Sequence, residues 1–190
     1  MIWESSPWKQ YLARSAANLR RRKRQKRWTA ASLAALEREV FFSAYAVRKL
    51  IEAGKISDEA EARPLRAAKH LPSGRTVDFL NWDKLDELYL LSARTEIDLP
   101  LREFCNQIIH SFVFTPTITD RGGLGGFFVT SERDKNKRLL YFAVDDVARS
   151  LARVANDIVD ASFHRDFVGG PAKITKKSSI SERARGRKLH

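Results

Sequence analysis

The chain is short of several things, and each shortage excludes a class of protein. It has a single cysteine, Cys105, in 190 residues. That leaves no internal disulfide and no cysteine-rich zinc cluster within one chain. No apolar run reaches 18 residues, so an ordinary membrane-spanning helix is not expected. The start, Met1 to Lys9, has no charged segment followed by an apolar stretch and does not read as a secretory signal. These absences predict a cytoplasmic protein with no membrane partner. They also predict a chain that holds no metal or cofactor and folds without one.

Hydrophobic residues make up 43% of the sequence, enough for a globular core, and 190 residues fit one domain. Formal net charge is +12. The excess is concentrated in two places. Arg20, Arg21, Arg22, Lys23, Arg24, Lys26 and Arg27 form one block, and residues 171–190 carry seven more cations, Lys176 and Lys177 among them, against Glu182. The remainder is close to neutral. Such localised charge suits contact with the phosphates of nucleic acid, where each neutralised phosphate releases counterions. The competing account is a solvated helix end that pairs with acidic residues of its own fold, or an acidic protein partner.

Helical periodicity dominates the first quarter. Trp8, Leu12, Ala16 and Leu19 predict an amphipathic helix over 7–26 that runs into the basic block. Thr29 is a cap for a second helix reaching about Ala53, followed by Gly54 in the left-handed position. The Phe41, Phe42 and Tyr45 side chains of that helix are expected in the core. From Ile56 to Asn81 the pattern weakens, and a small hairpin is expected near Arg63–His70 and Arg75–Phe79, with His70 on the surface. A short helix should end near Leu91. Phe112–Thr119, Phe127–Thr130 and Leu139–Val144 read as strands. The glycine-rich 122–126 segment reads as a flexible connector, because it lacks the Lys-Ser/Thr of a phosphate loop. Asp145 and Asp146 should cap a last helix to about Phe163, with Arg149, Arg153 and Asp157 outward as mutual ion pairs.

Asp98 to Thr115 reads as the central helix. Leu101, Cys105, Ile108 and Phe112 form an apolar stripe, and Arg102, Asn106 and His110 form a polar row at i, i+4, i+8. The Asn106-Gln-Ile-Ile-His110 run resembles the motif of the HEPN nucleases and their inactive relatives. The family pattern is an Arg, usually followed by a polar residue such as Asn, then a His four to six residues after the Arg. Here Cys105 stands where the Arg would be, and the nearest upstream arginine is Arg102. The resemblance implies metal-independent RNA cleavage at a composite site shared by two copies in a homodimer. His110 would then act as base or acid, Arg102 would stabilise the phosphorane, and Asn106 would orient them. The alternative is a non-catalytic nucleic-acid-binding or protein-interaction adaptor with a degenerate motif.

The expected fold is mainly α: a helical bundle with a small β-hairpin or three-stranded sheet inserted before the last helix. It would be one HEPN-like domain over residues 1–168, followed by a basic disordered tail over 169–190.

Overall fold

The computed structural model describes residues 2–164 and 173–180. Two long helices open the chain, α1 (Ser6–Arg22) and α2 (Ala30–Glu52), followed by a single turn, α3 (Asp58–Ala62). The Thr29 cap is realised as a capping box with Ser32, and Gly54 ends the helix at φ +66°.

Beyond α3 the expectation of a mainly helical bundle is overturned. The chain forms β1 (Leu65–Pro72), a short turn α4 (Leu85–Leu88), β2 (Tyr89–Leu99), α5 (Leu101–Ile109), β3 (Ser111–Ile118), β4 (Leu124–Ser131), β5 (Leu139–Ala143) and α6 (Val144–Asn156). The five strands make one antiparallel sheet in the order β2-β1-β5-β4-β3. A separate ribbon joins β6 (Val159–His164) to β7 (Lys173–Ser179).

The physical reasons for the difference are local. Tyr89–Leu99 is an edge strand with most of its side chains in solvent, so it lacks the alternation that marks a half-buried strand. Helix α5 stops at Ile109 because the aromatic and β-branched run Phe112-Val-Phe-Thr-Pro-Thr-Ile favours an extended chain. Phe112 shares the spacing of the Leu101 stripe by coincidence. Asp98 pairs across the sheet with Arg66 instead of capping a helix, and Pro100 takes the cap position. Residues 173–179 of the expected disordered tail are strand β7, whereas 169–172 and 181–190 lie outside the described residues.

The sheet separates two cores. Leu65, Ala67, Phe127, Val129, Leu140 and Phe142 point to the helical side and pack with Leu12, Leu19, Leu36, Val47, Phe104 and Leu151. Alternate residues Phe128, Val113 and Leu139 join Val77, Leu85, Leu88 and Tyr89 on the opposite side. Phe104 and Phe142 meet edge-to-face at 5.0 Å in the larger core. His70 is not a surface residue: it is 4% exposed, with its ring 5.6 Å from Phe128. Asp157 is likewise buried, and its carboxylate accepts a 2.7 Å hydrogen bond from the Ser57 amide.

The glycine-rich segment is a fitted part, not a loose connector. Gly122 turns at φ +85°, and a Cβ on Gly123 would lie 1.9 Å from the carbonyl oxygen of Lys23. Backbone on both sides would have to move to admit it. Gly123→Ala is therefore expected to lower unfolding free energy by about 2 kcal/mol or more, measured by urea denaturation.

Candidate nucleic-acid interface

Helix α1 buries Leu12, Ala16 and Leu19 and turns its cationic end outward. Between its end at Arg22 and the Thr29 cap, the chain makes an elbow that carries the basic block. Four tethers fix it. The Arg22 guanidinium lies 3.4 Å from Glu39, and Lys23 donates to Asp145 at 2.5 Å. Lys26 donates to the Arg121 carbonyl at 2.6 Å, and the Trp28 indole donates to the Gly122 carbonyl at 2.8 Å. Three of the seven predicted cations thus serve the fold. Arg20, Arg21, Arg24 and Arg27 remain exposed, Arg21 with a local hydrogen bond to Asn18.

The tail cations divide in the same way. Lys177 is largely buried and is held by Asp58 and Glu61 at 3.4 and 2.9 Å. Lys176 is exposed.

A groove at the other end of the α1–α2 hairpin from the basic elbow was not expected. Helices α1 and α2 run antiparallel, and Pro7, Trp8, Tyr11, Phe42, Tyr45 and Ala46 line an apolar depression of about 420 Å³. Phe42 and Tyr45 are 57% and 46% exposed, so the expectation that they fill the core does not hold for them. Phe41 does pack inward, edge-to-face on Phe114 at 5.5 Å. Arg38 lies one turn before Phe42 on α2, and Arg14 follows Tyr11 by three residues on α1, both exposed. Only the partition of α2 between two faces could have shown this, and a helix that is apolar nearly all round hides it.

Arg102, Asn106 and His110 each have a different neighbour. Arg102 pairs with Glu61 at 3.1 Å. The Asn106 side-chain oxygen accepts from Arg48 of α2. His110 is the exposed residue that ends α5. The His110 amide donates to the Asn106 carbonyl at 3.0 Å, but among the described residues no side-chain hydrogen bond joins any two of the three. Cys105, beside them, is fully buried, and burial pushes its thiol up to about 12 despite the nearby Arg48 and Arg102 charges.

The densest polar cluster is elsewhere on α5. Gln107 donates to Glu103 at 2.9 Å and to Asp134 at 2.8 Å, and accepts from the Ser131 amide at 3.0 Å. Arg138 clamps the same two carboxylates at 2.8 and 2.6 Å. Burial alone would raise the Asp134 carboxyl. Hydrogen bonds from Arg138 and Gln107, with the Arg138 and Arg133 charges, outweigh it and hold the group below the usual carboxylate range. No buried side-chain nitrogen or oxygen of this cluster lacks a partner, so it reads as a strut joining α5 to the β4–β5 turn. Among the described residues no three His, Cys, Asp or Glu side chains gather as a metal site, and no helix is long and apolar enough to cross a membrane.

No family model, curated protein or solved structure matches the chain, so these comparisons do not bear on the HEPN resemblance.

The depressed Asp134 carboxyl sets a pH dependence. Its contribution should be complete above the unfolded-state value near ~4 and fall away as pH drops through the lower folded value. Asp134→Ala should cost about 2 kcal/mol at neutral pH and show a weaker loss of stability on acidification than the parent chain, followed by urea melts across that range.

Proposed function

We propose that the protein binds single-stranded nucleic acid, RNA foremost, along the α1–α2 hairpin and does not cleave it. The observation that carries this reading is the division of labour within the basic block. Arg22, Lys23 and Lys26 bond inward and fix the backbone of the elbow, while Arg20, Arg21, Arg24 and Arg27 face solvent from that fixed frame. Cations held in place lose less conformational freedom when a phosphate arrives than cations on a free tail.

The groove supplies the second half. Phosphates contact the elbow arginines and bases stack on Trp8, Phe42 and Tyr45, with Arg14 and Arg38 interleaved. A duplex has no unstacked bases to offer, which favours single strands. Helix α5 contributes no chemistry in this reading, because Arg102 and Asn106 are engaged by Glu61 and Arg48.

The test is a salt titration of affinity for a labelled single-stranded RNA. Replacing Arg20, Arg24 and Arg27 by Ala should weaken binding and flatten the dependence of log affinity on log salt, by roughly 0.7 per lost phosphate contact. Tyr45→Ala should cost about 1–3 kcal/mol of single-strand affinity and leave duplex binding unaltered. RNA incubated with protein in chelator should stay intact. An unchanged salt slope in the triple variant would remove the elbow from the interface.

A further inference from the structure

A second basic feature lies away from the hairpin, where the first residues of β1 meet α6. Pro64, Leu65 and Arg66 face Asp146, Arg149, Ser150 and Arg153 across a cleft of about 420 Å³, with Asp98 at its margin. Three guanidiniums share this space with two carboxylates. Asp146 is already neutralised by Arg149 at 2.7 Å. The Arg66 side chain, opposite Asp98 in the β1–β2 ladder, has no hydrogen-bond or ion-pair partner among the described residues.

Arg153 is the most informative member. One terminal nitrogen donates to the Arg63 carbonyl at 3.0 Å and to the Ser150 hydroxyl at 3.3 Å, which fixes the plane of the guanidinium. Its Nε is buried and has no acceptor among the described residues. A buried N–H without an acceptor costs about 1–3 kcal/mol, and a charged one more. Burial, with the Arg63 and Arg149 charges close by, also holds this guanidinium below its usual value. The fold therefore concentrates positive charge at a point where one donor is unsatisfied, which is the reverse of what stability alone would select.

We propose that this cleft is an oxyanion site that takes one phosphate group, held by the solvent-facing side of the Arg153 guanidinium and the free fork of Arg66, with Arg149 completing the cationic wall. Planar guanidiniums match phosphate oxygens with paired hydrogen bonds, and a doubly charged phosphate relieves the crowding of like charges. The phosphate has two sources, a small free molecule or the backbone of a bound strand. Lys23 of the elbow pairs with Asp145, the neighbour of Asp146, so one margin of the cleft adjoins the elbow, while Arg153 lies about two turns further along α6. The site stands on its own geometry and does not require the elbow to bind RNA.

The experiment is a thermal-shift titration of the full chain with inorganic phosphate, against sodium chloride at matched ionic strength, repeated with a 5′-phosphorylated oligonucleotide. Arg66→Gln removes a side chain with no partner among the described residues, so its melting temperature in plain buffer should match the parent. Arg153→Lys keeps the charge and deletes the planar guanidinium fork, which gives a second reading should the first variant misfold. Phosphate should raise the melting temperature beyond the chloride control, with roughly tenfold weaker apparent affinity in either variant. A free-phosphate response assigns the site to small phosphorylated molecules. A variant-sensitive response confined to the oligonucleotide assigns it to the strand. Equal shifts in phosphate and chloride with no oligonucleotide effect, or shifts that both variants retain in full, would overturn the proposal.

Discussion

The fold depends on a short piece of backbone pairing between distant parts of the chain. Ala68, Lys69 and His70 of β1 pair with Tyr141, Leu140 and Leu139 of β5, and these three positions join the β1–β2 hairpin to the β3–β4–β5 meander. Without them the sheet is two fragments, neither broad enough to cover α2, α5 and α6. The pairing closes a loop of some seventy residues, which is entropically expensive, so it must form together with the core beneath it. Leu140 points to the helical side and Leu139 to the opposite side, so one strand register fixes both cores at once.

The same logic of mutual fixing governs the basic elbow. Seven cations in eight residues repel one another, and a free segment of this kind would be extended and mobile. Here the repulsion is offset by Glu39, by Asp145, by a backbone carbonyl at the glycine turn, and by the close approach of Gly123 to Lys23. The turn between β3 and β4 is therefore tied to the start of the chain. That tie connects a surface charge pattern to the sheet, and it turns what looks like a linker into part of the folded body.

Much of this was legible in the sequence wherever local rules decide the outcome. The Thr29 cap, the Gly54 stop and the strands β3, β4 and β5 follow from capping chemistry and alternation. What escaped was set by tertiary context. β2 is polar on both faces because it is an edge, and although Arg63–His70 reads as extended, the partner of β1 is Tyr89–Leu99 and not the expected Arg75–Phe79. The fates of individual cations were equally hidden. Nothing local distinguishes Arg22 from Arg24, or Lys177 from Lys176. Only the presence of Glu39, Asp58 and Glu61 in the folded neighbourhood separates structural cations from free ones. In the Arg102, Asn106 and His110 row, helical spacing placed the residues side by side but could not show that Arg48 and Glu61 would take the first two.

The lone cysteine has a practical consequence. Cys105 sits at zero exposure between α2 and α5, with its thiol pushed up to about 12, so almost no thiolate exists at neutral pH and none of it meets solvent. A maleimide reagent would leave the folded chain untouched. A cysteine introduced at an exposed elbow position would carry a fluorophore or spin label alone, with the native thiol left in place. The native thiol would in turn become an internal clock, reacting only in molecules whose α2–α5 packing has opened.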